Sequence, residues 1–403
     1  MDIRYIKNVF FLLLGAFAMG SCEEDLGFKE PIGTDTTVPG TVSNITVQNL
    51  SGKAKLTYNL PTNQSLLYVK AVYKLANGEE AEVKSSYYNS ELTVEGFADT
   101  LEHEVKVYAV SRTKVSSEPV TVIVKPLEAP IWKVYKSIKV DNAFGGYNLS
   151  AENPDADNVA IMVMKPNAFN EFEVDNNKSV FTRVSDIQSK IRGLDTVNYE
   201  FQVFVRDKWG NSTDTSTVTV KPIYEVELEP TKFRAFQLPG DAPQVTNGAR
   251  LEYAWDNRLG WPYVSFTHQV NGGPGPHMIT FDTGVSAKLS RFWIRPFPEL
   301  SPAQFYFLTT LKKFEVYGSE NPSLSGALDE SWVLLGSYEV TKPSDTPYGQ
   351  DTALDRETGE KGWDFDIPLT APKVRYIRVR CLENWAGGTA QSINEIKVYG
   401  DPR

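Results

Sequence analysis

Between Trp255 and Trp261 the chain reads Trp-Asp-Asn-Arg-Leu-Gly-Trp, two large aromatics separated by an acid, an amide and a guanidinium in a turn-rich stretch. An exposed aromatic ring stacks on the apolar C–H face of a sugar, while Asn, Asp, Arg or His side chains bond the sugar's hydroxyls. The stretch therefore offers Asn257, Arg258 and Trp261 as candidate carbohydrate contacts. Trp363 and the pair Asn384-Trp385 stand in similar contexts and join that set. For Trp261, Trp363 and Trp385, a role as an exposed platform stands against burial, the common fate of a large aromatic. Trp293 and Trp332 lie inside strand patterns and are expected in the core.

Other chemistries find few residues to carry them. The three histidines, His103, His268 and His277, lack metal-ligand spacing. There is no Gly-x-Ser-x-Gly elbow, phosphate loop or dinucleotide fingerprint. Paired carboxylates for glycoside hydrolysis remain open, but 51 acidic residues offer many chance pairs and nothing selects one. The expectation is a protein that is not an enzyme. The net charge of −10 argues against nucleic acid, which needs a basic footprint.

The elements that must position these residues begin with an export signal. Arg4 and Lys7 precede a short apolar run that starts at Val9 and ends at Met19-Gly20-Ser21-Cys22. That is a secretory signal peptide, too short to span a bilayer. Small residues directly before a cysteine resemble the lipobox of bacterial lipoproteins, which implies that Cys22 is acylated and becomes the first mature residue. Removing residues 1–21 takes away one acid and two bases, so the net charge becomes −11. Glu23-Glu24-Asp25 resembles the export signal of Bacteroidetes lipoproteins facing the cell exterior. Residues 22–40 are then the lipidated cysteine and an acidic tether. With Cys22 acylated, only Cys381 remains, so no intrachain disulfide can form. Cys381 continues the alternation Ile377, Val379 and is expected to be a buried apolar residue.

From residue 41 onward, period-2 alternation predicts short strands: Val69, Ala71, Tyr73 and Leu75 on one face, then Val105, Val107 and Ala109, then Val120, Val122 and Val124. Asn77-Gly78 marks a hairpin turn. An internal repeat aligns Leu56–Pro61 with Leu149–Pro154, Gly96–Thr100 with Gly193–Thr196, His103–Ala109 with Tyr199–Val205, and Val124-Lys125-Pro126 with Val220-Lys221-Pro222. Two sandwiches follow, at 41–126 and 127–222. The run Leu194, Tyr199, Phe201, Val203, Val205 resembles the tyrosine corner and following strand of fibronectin type III modules. His103 stands where the first copy's tyrosine would be and is read as a structural substitute. Each Lys-Pro fits a domain end.

The segment 223–403 holds six of the eight tryptophans. Phe281-Asp-Thr-Gly284, Phe314–Ser319, Trp332–Gly336, Val374–Arg380, Asn384–Gly388 and Ile393–Gly400 together resemble the discoidin domain, a jelly-roll sandwich. The expected fold is thus all-β: two immunoglobulin- or fibronectin-like sandwiches followed by a discoidin-like jelly roll. The resemblance implies carbohydrate binding by loops at one end of that sandwich. It also implies a structural calcium, with Asp256 and Glu395 at the matching places. The alternative for Glu395 is a cap or a pair with Arg378. The whole architecture resembles surface lipoproteins encoded beside outer-membrane glycan importers in Bacteroidetes. That implies capture of polysaccharide without catalysis, in company with the importer and its companion lipoprotein, the lipid being the only membrane contact. A protein-binding adhesin using the same loops is the alternative.

Overall fold

The structure, a computed structural model, describes residues 36–62 and 65–403. The expected signal peptide, Cys22 and the tether through residue 35 lie outside the described residues. Among those described, no helix is long and apolar enough to cross a membrane. The fold is all-β, with two short α-helices among the described residues, Pro130–Ser137 and Ala353–Lys361. The chain divides into two compact units. One holds the residues up to Lys139 with Leu149–Ser189 and Glu200–Val218; the other holds Val140–Asn148, Lys190–Tyr199 and Thr219–Arg403. The segment expected as a second sandwich is divided between them.

The first sandwich is built as its alternation predicts. Ser43–Leu50, Lys53–Asn59 and Glu91–Glu95 form one sheet, while Glu80–Ser86, Leu66–Lys74, His103–Ser111 and Val120–Val124 form the other. Val69, Ala71, Val105, Val107 and Ala109 are buried against Leu56, Val94 and Phe97. Asn77-Gly78 does turn the hairpin: Gly78 has φ 84° and its N–H donates to Leu75 O at 2.9 Å. His103 Nε2 lies 2.8 Å from Asp99 Oδ1 and its ring packs 4.6 Å from Phe97. In the second copy Tyr199 Oη accepts from Asp195 N at 3.2 Å.

The internal repeat extends to single hydrogen bonds. Lys125 N donates to Asn49 Oδ1, and Lys221 N donates to Asn142 Oδ1. Ser117 Oγ accepts from Ala109 N, and Thr213 Oγ1 accepts from Val205 N. Ser51 bridges Leu127 in parallel, as Phe144 bridges Ile223. The chain stays hydrogen-bonded to its own sheet past each proline.

The C-terminal sandwich turns on one strand, Met278–Pro296. Its first half pairs with Lys373–Asn384, which in turn pairs with Leu311–Ser319 and then Val333–Glu339. After a register shift between Asp282 and Ala287, its second half pairs with Ser392–Asp401 and Trp363–Asp366. Gly284 sits in that shift at φ 73°, where an added Cβ would meet Lys232 O at 2.8 Å. The strand thus serves both layers. Phe281, Phe314, Val316, Ile377 and Val379 from one layer share a core with Phe292, Ile294, Ile396 and Val398 from the other. Cys381 is fully buried there, and burial pushes its thiol up to about 12.

Trp332 is buried as expected, but Trp293 is not a core residue. Phe292 and Ile294 face inward, so period 2 turns Trp293 outward, where its Nε1 donates to Lys361 O at 3.2 Å. Arg378 does not pair with Glu395. It is fully buried 3.3 Å from Asp241, with Nε donating to Thr280 Oγ1, NH1 to Gly326 O, and the guanidinium 4.8 Å from the Trp332 ring.

Candidate functional site

Strand registers bring several loops to one end of the C-terminal sandwich. Pro296 pairs with Ile393 and Leu311 with Asn384. Ser392 is paired with Phe266 on one side and bridged to Thr310 on the other. Val340 N bonds Lys312 O, and Cys381 N bonds His277 O. The segments 256–277, 297–310, 340–352 and 384–391 therefore leave the strands at the same end.

The Trp255–Trp261 stretch is shaped from below by Asn394, which is fully buried on the strand Ser392–Asp401. Its Nδ2 donates to Tyr263 O at 2.7 Å and to Arg258 O at 3.3 Å, and its Oδ1 accepts from Gly260 N at 3.3 Å. Asn257 and Gly260 take the left-handed conformation, at φ 61° and 79°, which folds the loop back over Asn394. The peptide Trp261-Pro262 is cis. Trp255 goes into the core against Phe281, while Trp261 remains 45% exposed. Its ring meets Phe266 and Phe297 edge-on, each at 6.5 Å.

Trp261 lines an open cleft of ≈ 470 Å³ with Val245, Asn247, Phe266, His268, Gln269 and Val270. Val270 is 82% exposed. His268 Nδ1 accepts from Val270 N and Asn271 N, so in the neutral ring Nε2 carries the proton and is a donor. The cleft wall is held by His277, buried with Nδ1 2.9 Å from Thr267 Oγ1; burial lowers its pKa. Gly272 makes room for it, since a Cβ there would come within 2.2 Å of the His277 ring. An aromatic face beside amide and imidazole groups is the combination that a sugar ring requires.

The other predicted contacts fare differently. Trp363 is buried, packed 5.4 Å from Tyr306, and is no platform. Trp385 is half-buried, edge-on to Tyr306 at 5.3 Å, with the Lys312 ammonium 5.6 Å from its ring centroid and its Nε1 turned inward. Asn384 is buried and committed to its own loop. Its Nδ2 donates to Ala390 O at 2.8 Å and its Oδ1 accepts from Ala386 N and Gly388 N. Asn257 is exposed. Arg258 is exposed too, but its guanidinium is paired with Asp256 and stacked 4.0 Å from the Tyr263 ring centroid and 5.0 Å from that of Tyr253. Of the three tryptophans, then, only Trp261 is exposed.

Asp256 and Glu395 are brought together. Glu395 is buried and its Oε1 has no partner. Burial first, and the Asp256 charge second, push its carboxyl up to about 8. An orphaned buried carboxylate oxygen beside a second carboxylate suits a hard cation. Among the described residues no cluster of three or more His, Cys, Asp or Glu side chains could hold a metal, so further ligands would be neutral oxygens such as backbone carbonyls.

The sequence reading missed Asn394, His268, Gln269 and Asn247. Asn394 and Glu395 both sit amid the apolar alternation of the last strand, and a polar break there was the available signal. The cleft residues lie in loops without periodicity, and only proximity reveals them.

Three domain families match the sequence, each described as a domain of unknown function: DUF4959 over residues 39–126, DUF5126 over 127–231 and DUF5000 over 255–400. No curated protein sequence matches the chain. Among solved structures it is similar to a SusE-like protein, at 27% identity over 68% of this chain and 100% of that one, TM-score 0.45. It is also similar to the C-terminal domain of a chitobiase from Bacteroides fragilis, at 16% identity over 43% of this chain and 97% of that one, TM-score 0.31. A third is a family 32 carbohydrate-binding module from Clostridium perfringens in complex with GalNAc-β-1,3-galactose, at 16% identity over 43% and 99%, TM-score 0.30.

Proposed function

We propose that this chain is a non-catalytic surface lipoprotein that captures polysaccharide for an outer-membrane glycan importer. The observation that carries the reading is the Trp261 cleft, an exposed aromatic face among Asn247, His268 and Gln269. A sugar ring lies on Trp261 and its hydroxyls are bonded by those side chains. Cys22 carries the lipid and the tether holds the sandwiches off the membrane. The first sandwich and the segment 127–222 act as spacers for the terminal domain.

Asp256 and Glu395, with carbonyls of the 256–263 segment, would hold a calcium ion. Such an ion supplies charge neutralisation for two close carboxylates, and it fixes the loop that presents Trp261. Glu395 positions the loop from the strand below, and Arg258 screens Asp256 from solvent.

The test is native electrophoresis of the mature chain through gels containing galactan, arabinan, xylan, mannan, laminarin or pullulan. Retardation in at least one neutral polymer, unaffected by moderate salt, supports the reading. Equal mobility in all of them, together with capture of a folded protein partner burying more than about 1,000 Å², supports the adhesin alternative instead.

A further inference from the structure

A second aromatic face stands at the same end of the C-terminal sandwich. Phe307 and Tyr348 are stacked, with ring centroids 4.8 Å apart and planes at 21°. Neither belongs to the hydrophobic core, although Phe305 and Tyr306 immediately before do. Tyr348 is 46% exposed and Phe307 half-buried. The pair is held deliberately. Tyr348 Oη accepts from Leu308 N at 3.3 Å, and Leu308 O accepts from Ala386 N at 3.0 Å. Leu308 has φ 45°, a strained conformation for a leucine that persists only because its surroundings impose it. Gly349, at φ 75°, lies against Phe307, and a Cβ there would sit 3.3 Å from the ring.

The path from this pair to Trp261 is short. Trp261 touches Phe266; Phe266 pairs with Ser392; Ser392 bridges Thr310, three residues from Phe307. Phe266 and Thr310 are thus two strand spacings apart, roughly 10 Å. Resting on the carbohydrate reading of the Trp261 cleft, we propose that Phe307–Tyr348 is a second sugar platform. It takes a further ring of the glycan chain whose first ring lies on Trp261. Affinity then grows with glycan length, because both faces bind one ligand and the second contact is intramolecular.

The test uses the full mature chain and oligosaccharides of one to six sugars cut from whichever polymer retards it in the gel. Wild type should bind the longer members more tightly than the monosaccharide. Tyr348→Ala should lose roughly fivefold or more on the longest member and leave the monosaccharide affinity unchanged, by analogy with base stacking. Tyr348→Phe, which keeps the ring and drops the Leu308 bond, should bind like wild type and so controls for loop collapse. Trp261→Ala should weaken every length. Wild-type affinity independent of length, or Tyr348→Ala matching wild type on the longest member, overturns the second platform and leaves the Trp261 reading intact. Failure of every polymer to retard the wild type overturns both.

Discussion

Replacing Glu395 by Gln gives a sharp test of the loop foundation. The carboxyl is raised from 4.5 to about 8, with burial the larger cause and Asp256 the second. At one pKa unit per 1.36 kcal/mol, the full shift corresponds to an upper bound of ~5 kcal/mol. The sign follows from the direction. Below pH 4.5 the group is protonated in both folded and unfolded chains and contributes nothing. Between 4.5 and about 8 the unfolded chain has released the proton that the folded chain still holds. The folded state therefore binds more protons, and stability falls as pH rises, reaching its full loss above about 8. Gln removes the titration and keeps the shape. In chelator, thermal melts of wild type and Glu395→Gln should coincide near pH 4.5, and the variant should gain as pH rises to 8.5. A gain of a few kcal/mol in a domain of this size corresponds to roughly 5–10 °C in Tm. Added calcium should raise the wild-type Tm at pH 8 much more than at pH 5, and should leave the variant unmoved. A mutant-minus-wild-type difference that stays flat across this range would refute the raised, buried carboxyl. A calcium response that survives in the variant would refute Glu395 as a ligand.

Other expectations follow from burial and pairing. Trp363→Ala should cost ~3–5 kcal/mol in denaturant melts, because the ring is in the core, yet leave glycan affinity in the folded protein unchanged. Arg378→Met should cost ~3–5 kcal/mol by stranding Asp241, and Asp241→Asn on top should recover part of it, which a double-mutant cycle measures. Cys22→Ala should abolish incorporation of labelled palmitate; equal labelling of both proteins would remove the lipid anchor from the account.

The strands and their buried faces were legible because alternation is a local signal. Val69, Ala71 and Tyr73, or Ile377, Val379 and Cys381, show their buried face without help from distant residues. The internal repeat was legible for the same reason. Trp293 misled because its own apolar ring stands between Phe292 and Ile294 and hides the alternation that turns it outward. Trp363 and Asn384 misled because a loop-like context says nothing of burial; here the tertiary fold packs one on Tyr306 and wraps a loop around the other. The cleft around Trp261 joins residues from 245 to 270 that no periodicity links. Arg378 found Asp241 rather than Glu395 because the segment around 241 packs beside Thr280, a contact across 39 residues that sequence spacing does not show.

The central claim is that Trp261 presents the sugar-binding face, and calorimetric titration of Trp261→Ala tests it most directly. The titrant is the polymer that retards wild type, and melting curves are recorded in parallel. Loss of stacking should weaken binding by ~1–3 kcal/mol, roughly ten- to hundredfold, by analogy with base stacking. The Tm should barely move, because a side chain 45% exposed on a loop adds little to the core. Wild-type affinity in the variant, or a melt lowered as far as that of Trp363→Ala, would contradict the account.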